Sequence, residues 1–305
     1  MIEYDTQYKA LLKRIMRDGV DVEDRTGTGC RKVFDAKIKV DLSGDSTHYH
    51  IPVGSLRKIY PRTAFYEMLW MLRGSTNANE LKAKNIHIWD ANSSREFLSS
   101  RGLDYVREGW IGAKSYGYQF RNWNGHYDQL TSTIEGIIND PNGRRHFISL
   151  WNPSDFDQQA LPPCHLVYNF VVTGNKLNLK FYMRSHDVVL ANNVNILFAS
   201  FFLLFMCQWT GMEAGEVAMD IADAHIYSNL FDAANYMIDA DPIDRVWHIP
   251  KDSDEWNLSA PFSNDLLDRI FFDSDSYVKF VKQYNTDIED VTNPPIPREL
   301  LQISA

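Results

Sequence analysis

The stretch HLVYNFVVTGNKLNLKFYM, residues 165–183, decides the fold. Two runs rich in β-branched and aromatic residues, His165–Val172 and Leu177–Met183, flank Thr173-Gly174-Asn175, and that arrangement predicts a hairpin. In the second run Leu177, Leu179, Phe181 and Met183 share one face and Asn178 and Lys180 the other, the period of a half-buried strand. Downstream, Val194–Trp209 is apolar on all sides and reads as a buried helix. Upstream, His146–Trp151 reads as a further short strand. Residues 4–18 place Tyr8, Leu11, Leu12 and Ile15 at helical spacing, with Gly19 as the stop. Val33–Val40 alternates loosely, as a strand does. Pro61–Arg73 predicts a helix with Pro near its start and Gly74 past its end. Phe65, Met68, Leu69 and Leu72 form its apolar face, and Glu67 lies off that stripe. Helices and strands mixed in this way predict an α+β domain on a mostly antiparallel or mixed sheet with a buried central helix. No repeat or linker divides the chain, so residues 1–305 are expected to form one domain. No βαβ run carries a Gly-rich phosphate loop, which argues against a dinucleotide-binding fold.

The 305 residues are 44% hydrophobic and 13% aromatic, enough for a sizeable core, and the net charge is −9. That charge argues against a chain that binds nucleic acid by its overall field. An anionic substrate would need a local cluster of arginines. The three cysteines, Cys30, Cys164 and Cys207, are scattered, with no C-x-x-C spacing. They point to a reducing compartment, and a cytoplasmic location is expected. The opening MIEYDTQYKALLKRIMRDG mixes charges throughout and does not read as an export signal. The most apolar run, Ile196–Cys207, is shorter than the roughly 18 residues a membrane span needs, so no membrane partner is expected.

Four groups of residues could carry chemistry. Cys164 follows two prolines in Leu161-Pro162-Pro163-Cys164-His165, at the start of a strand. A thiolate is a good nucleophile but needs positive charge nearby; without it, Cys164 reads as one more inert buried thiol, as Cys30 and Cys207 do. Arg25, Arg144-Arg145 and Arg184-Ser185 sit on loops and strand ends, where guanidinium forks suit phosphate oxygens. Taken singly, each arginine is an ordinary surface residue. Asn195 closes Asn192-Asn193-Val194-Asn195 and leads into the apolar helix, either as a ligand-reading amide or as a helix N-cap. His225 and Tyr227 would share one face of a strand, suited to one ligand hydroxyl or to a satisfied core pair. No cluster has metal-ligand spacing, so no metal is expected. Cys164 and His165 are adjacent, and neighbours on a strand point to opposite faces, which argues against a Cys–His hydrolase.

In order and over nearly the whole chain, these motifs resemble the thymidylate synthase family. The match runs from Asp24-Arg25-Thr26-Gly27-Thr28-Gly29 through Glu67-Met68-Leu69-Trp70 and Gly74-Ser75-Thr76-Asn77 to Ile88–Leu98. It continues through Arg144-Arg145, Pro163-Cys164-His165, Arg184-Ser185-His186-Asp187 and Asp223–Tyr227. The resemblance implies a three-layer fold and one-carbon transfer to C5 of dUMP from 5,10-methylenetetrahydrofolate. It implies that Cys164 adds to C6 of the uracil ring, with Glu67 organising water and proton transfers and Tyr116 near the thiol. Arg25, Arg184 and Ser185 would hold the phosphate, and His225 and Tyr227 the 3′ hydroxyl. Asn195 would read the pyrimidine edge in favour of uracil, since related deoxycytidylate hydroxymethylases carry Asp there. Trp89 and Asp187 would face the reduced folate, as would Arg57 and the C-terminal Ala305. Arg144 and Arg145 would cross into a partner's site, which implies a homodimer.

The chain departs from the family where the folate pocket is lined or closed. The usual Leu-Gly-x-Pro-Phe-Asn run reads Leu190-Ala191-Asn192-Asn193-Val194-Asn195, and the usual Gly-Pro-x-Tyr-Gly reads Ala113-Lys114-Ser115-Tyr116-Gly117. Thr-Thr-Lys reads Ser55-Leu56-Arg57, Met183 replaces the Gln before Arg184-Ser185, and the tail ends Ser304-Ala305 in place of Ala-Val. A synthase must keep water from the electrophilic C5 methylene until hydride arrives. A pocket that admits water gives 5-hydroxymethyl-dUMP instead, so a dUMP hydroxymethylase is expected. Thymidylate synthase is the alternative, favoured by Trp89–Leu98. A nucleotide- or RNA-binding regulator is the non-enzyme alternative, opposed by the net charge and by the intact Cys164, Glu67 and arginines.

Overall fold

The computed structural model describes residues 3–23, 27–243, 245–251, 262–281, 296 and 300. Arg25 and Ala305, both expected at the site, lie outside the described residues. In chain order the elements are α1 (Glu3–Asp18), β1 (Val20–Val22), β2 (Cys30–Asp41), β3 (His48–Pro52), α2 (Pro61–Leu72), α3 (Asn79–Lys82), α4 (Arg95–Ser100), α5 (Tyr116–Arg121) and α6 (Gln129–Asn139). There follow β4 (Phe147–Ser149), β5 (His165–Thr173), β6 (Lys176–Asp187), α7 (Asn192–Thr210), β7 (Glu213–Tyr227), α8 (Phe231–Asp239), β8 (Val246–Pro250), α9 (Asn264–Phe272) and α10 (Ser276–Phe280).

Six strands form one sheet in the order β1-β2-β7-β6-β5-β4, and β3 pairs with β8 in a second, two-stranded sheet. The expected hairpin is β5–β6, and all neighbours in the large sheet are antiparallel except β6 and β7. Parallel neighbours cannot be joined by a tight turn and need a crossover. Helix α7 supplies it. Leu177, Leu179, Phe181 and Met183 turn their shared face inward, at most 1% exposed, as their alternation predicts.

Helix α7 packs against α2, α6, β6 and β7. At 19 residues it is long and apolar enough to cross a membrane, yet it is buried within the protein. Phe202 shows how tightly: Phe120, Tyr168 and Phe170 all pack on it at ring-centroid distances of 5.3–5.9 Å. Gly211 ends the helix with φ 70°, a left-handed cap that residues with a Cβ rarely adopt.

The start of α7 differs from expectation. Asn195 is neither before the helix nor its N-cap; the helix begins at Asn192, and Ala191 is the capping position without a side-chain cap bond. The reason is that the side chains of Asn192, Asn193 and Asn195 hydrogen-bond to tertiary partners, not to the helix's own first amides. A second irregularity is a register shift between His165 and Val167 in the β5–β6 pairing. A bulge of this kind re-aims side chains. It allows His165 and Tyr168, an odd number of residues apart, both to face the core, at 6% and 0% exposure.

Candidate active site

The C-terminal ends of β6 and β7, the start of β5 and the first turn of α7 open on a cleft of ≈ 350 Å³. Cys164 sits on its wall, half-buried and unpaired. Among the described residues three hydrogen bonds fix it, one of them from the Arg184 amide to the Cys164 carbonyl at 3.1 Å. The Cys164 amide donates to the Tyr116 hydroxyl at 2.7 Å, and Arg184 Nη2 donates to Cys164 Sγ at 3.5 Å. Arg184 is itself anchored: Nε donates to the Pro163 carbonyl at 2.8 Å and Nη2 to that of Pro162 at 2.9 Å. The two prolines therefore do more than hold the chain extended. Their carbonyls lock the guanidinium beside the sulfur. Nη1 of Arg184 has no protein partner among the described residues and remains available to an anion.

Glu67 reaches the cleft from α2, a helix whose residues are nearly all buried. Burial pushes its carboxyl up to about 7, against the opposing pull of a hydrogen bond from Trp89. At that value it changes charge near neutrality, as a proton shuttle must. Tyr116, raised well above the usual phenol range by burial and by the neighbouring Cys164, stays neutral and packs edge-on against Trp89 at 5.6 Å. Asp187 also lines the cleft. Its Oδ1 accepts from the Val189 and Leu190 amides, both at 2.9 Å, and burial raises its carboxyl above the ordinary range.

Asn195 lines the cleft with its amide held from behind by two buried histidines. His165 Nε2 lies 3.1 Å from Asn195 Oδ1, and His186 Nδ1 lies 3.2 Å from Asn195 Nδ2. Burial pushes His165 down to about 4 and His186 down to about 3, so both rings are neutral near pH 7. The other nitrogen of His165 meets the Tyr168 hydroxyl at 2.6 Å. With both nitrogens engaged away from the sulfur, His165 is not a base for Cys164.

His225 and Tyr227 both face the cleft from β7, as their spacing predicts. Asp223 Oδ1 lies 3.0 Å from His225 Nδ1, which holds the ring and turns its Nε2 edge away from the carboxylate. Burial works against the Asp223 carboxylate, but hydrogen bonds from His225 and Lys32 outweigh it and hold it below the usual range. Ser185 lines the cleft beside Arg184.

Three expected residues are not brought to this cleft. Arg57 is 5% exposed and donates through Nη1 to the Val189 carbonyl, so it braces the turn after Asp187 and lies off the cleft wall. Arg144 and Arg145 are exposed just before β4, also off the cleft. Sequence reasoning in turn missed His186, Met71 and Leu161, all on the cleft wall, and Tyr168 behind it. The strand alternation that identifies β6 ends at Met183, so no periodicity marks His186 as inward-facing. Folding also gathers His50 and His248 of the small sheet with Asp45 of the loop before it, ligand-type atoms within 4.8 Å of one another, a grouping that linear spacing does not reveal. Asp45 Oδ1 there is already taken by the amides of Thr47 and His48.

Residues 6–253 match the family model described as thymidylate synthase. The chain is 37% identical over 235 residues to a bifunctional dihydrofolate reductase-thymidylate synthase of Zea mays, covering 73% of this chain and 44% of that protein. It is 36% identical over 252 residues to the protein of the same description from Leishmania major, covering 78% of this chain and 48% of that protein. The chain thus spans about half the length of these curated relatives. A family match over that much of the sequence, on the fold whose cleft gathers the motif residues, means that the chain belongs to the thymidylate synthase family.

Proposed function

We propose that this protein attaches a one-carbon unit to C5 of dUMP through a covalent bond between Cys164 and C6. The observation that carries this reading is the convergence of Cys164 Sγ, the Arg184 guanidinium 3.5 Å from it, Glu67 and Asn195 on one cleft. Addition of the thiolate to C6 moves the C5–C6 electron pair onto C5 and O4, which makes C5 a carbon nucleophile. After C5 has bonded to the one-carbon unit and lost its proton, the sulfur leaves and the C5–C6 double bond re-forms. Glu67 handles protons on the C4–C5 side of the ring. Asn195 pairs with the pyrimidine edge, Arg184 and Ser185 hold the phosphate, and His225 and Tyr227 take the 3′ hydroxyl.

The donor in this reading is 5,10-methylenetetrahydrofolate, which supplies the one-carbon unit when bound. The residues present fit it: the Trp89 indole and the Asp187 carboxyl line the same cleft as Cys164. Arg57 lies off the cleft wall, where it donates to the Val189 carbonyl and its charge reaches the Asp187 carboxyl.

The product we infer is 5-hydroxymethyl-dUMP, in which water supplies the new oxygen and tetrahydrofolate leaves without giving up hydride. Support comes from Met183 and Ala191, two of the departures from the family pattern, which both lie on the cleft wall. Reductive methylation to dTMP is the second reading, favoured by the synthase descriptions of the relatives and by the run Trp89–Leu98. Incubating the protein with dUMP and methylenetetrahydrofolate, then measuring product mass and dihydrofolate, separates the two. Stoichiometric dihydrofolate with a methylated product would overturn the hydroxymethyl reading. Cys164→Ser should abolish either product, whereas a nucleotide- or RNA-binding regulator would keep its function after that change.

The protein acts as a homodimer in this reading. The outward face of the large sheet exposes Phe34, Phe147, Val171 and Tyr182, apolar side chains suited to a second copy. Arg144 and Arg145, at the edge of that face, then complete the partner's phosphate site. Its three cysteines, scattered along the chain with no C-x-x-C spacing, suit a cytoplasmic location.

A further inference from the structure

Behind Asn195 the buried polar groups form one unbranched chain. The Tyr168 hydroxyl meets His165 Nδ1 at 2.6 Å, and His165 Nε2 meets Asn195 Oδ1 at 3.1 Å. Asn195 Nδ2 meets His186 Nδ1 at 3.2 Å, and His186 Nε2 meets Asn192 Oδ1 at 3.0 Å. Asn192 Nδ2 donates to the Tyr4 hydroxyl at 3.1 Å, and that hydroxyl donates to Asn193 Oδ1 at 2.6 Å. A neutral imidazole has one donor and one acceptor, and so every link must point the same way along the chain. Only two polarities exist. In the first, Tyr168 donates to His165, both histidines carry their proton on Nε2, and Asn195 turns its carbonyl to His165 and its amide nitrogen to His186. In the second, every link reverses, both histidines carry the proton on Nδ1, and the Asn195 amide is flipped.

The two polarities show the cleft opposite donor–acceptor patterns. Uracil presents N3–H and the O4 acceptor, whereas cytosine presents the N3 acceptor and an N4 donor. A flip of the Asn195 amide therefore exchanges the preferred base. At the Asn193 end one polar atom is buried without a partner in either polarity, Nδ2 in the first and Oδ1 in the second. At the Tyr168 end only one polarity strands a group. Tyr168 is 0% exposed, and among the described residues His165 is the one hydrogen-bond partner of its hydroxyl. Reversal would make it an acceptor and strand its hydrogen in the core.

We propose that Tyr168 is a positioning residue for base discrimination. It does not line the cleft. By donating to His165 it fixes the polarity of the whole chain and so fixes which end of the Asn195 amide donates. A stranded buried donor biases the two polarities by roughly 5- to 150-fold. The β5 bulge is what brings His165 and Tyr168 to the same face, so the device is built into the strand. The proposal rests on the dUMP reading for its substrate, but the polarity is a property of the free protein.

Nitrogen-15 NMR of the histidine-labelled free protein should show His165 and His186 both as Nε2–H tautomers. An Nδ1–H tautomer at either ring in the unaltered protein would overturn the proposal without any substitution. Tyr168→Phe keeps the ring stacked on Phe181 and Phe198 and removes only the donor. Both tautomers should then shift together, and the ratio of kcat/KM for dUMP over dCMP should fall about tenfold. An unchanged ratio with changed tautomers would also overturn the proposal. A protein that turns over neither nucleotide would overturn the dUMP reading, while the tautomers still decide the chain's polarity.

Discussion

Trp89 donates its indole N–H to Glu67 Oε1 at 3.0 Å. Two effects thus oppose each other at one carboxyl: burial favours the neutral acid, and the indole favours the carboxylate. The kcat/KM profile should inflect near pH 7, where Glu67 titrates. Trp89→Phe removes the carboxylate's donor, so the inflection should move to higher pH, on the order of one unit. Glu67→Gln should abolish it. A shift to lower pH in Trp89→Phe would contradict the assignment.

The same titration has a consequence for stability. Burial raises the Glu67 carboxyl from its ordinary 4.5 to about 7, so the folded state binds this proton more tightly than the unfolded chain. Its contribution is fully present below the unfolded value and is lost as pH rises through the folded one. Between pH 4.5 and 7, Glu67→Gln should therefore remove a downward slope from the denaturation midpoint measured against pH. Identical slopes in the two proteins would count against the shift.

Asn195→Asp puts a carboxylate between His165 Nε2 and His186 Nδ1. An acceptor then replaces the donor facing His186, and the uracil edge loses a complementary partner. The kcat/KM ratio of dUMP to dCMP should fall by roughly 5- to 150-fold, read by steady-state kinetics on both nucleotides. A ratio that stays constant would show that position 195 does not read the base.

Arg144 and Arg145 lie off the cleft of their own chain, so complementation tests whether they serve another. A double Arg144→Ala, Arg145→Ala variant and a Cys164→Ser variant should each be nearly inactive. Refolded together at equal amounts, they should recover about a quarter of the normal activity, because half the dimers contain one intact site. Recovery no greater than the sum of the separate variants would sink the shared site.

Phe202→Ala removes the ring that Phe120, Tyr168 and Phe170 pack upon. The protein should lose about 3–5 kcal/mol, since α7 cannot close over the void without moving both sheet and helices. Equilibrium denaturation measures this, and a loss below about 1 kcal/mol would mean that the core collapses into the space.

Much of the fold was legible because burial on one face leaves a periodic trace. The β5–β6 hairpin, α1 and α2 followed from spacing that matches a helix or strand period, and α7 from a run apolar on all sides. The candidate site was legible only in part. Cys164, Glu67, Asn195, Arg184, His225 and Tyr227 meet as the resemblance implies. Their meeting was not deducible from spacing, since α2, β6, α7, β7 and the residue just before β5 contribute them from distant points of the chain.

The sequence by itself determined the β5–β6 hairpin, the apolar helix that follows it and the residue types that chemistry at C5 of a pyrimidine requires. Only the tertiary structure decided how those residues are held. Alternation along β5 would set His165 and Tyr168 on opposite faces, and a single extra residue in the pairing with β6 brings them together. Asn195 looked like a possible cap and is instead gripped by two neutral histidines within the helix. The physical reason is that backbone period records which face is buried, whereas hydrogen-bond direction depends on every partner along a folded network.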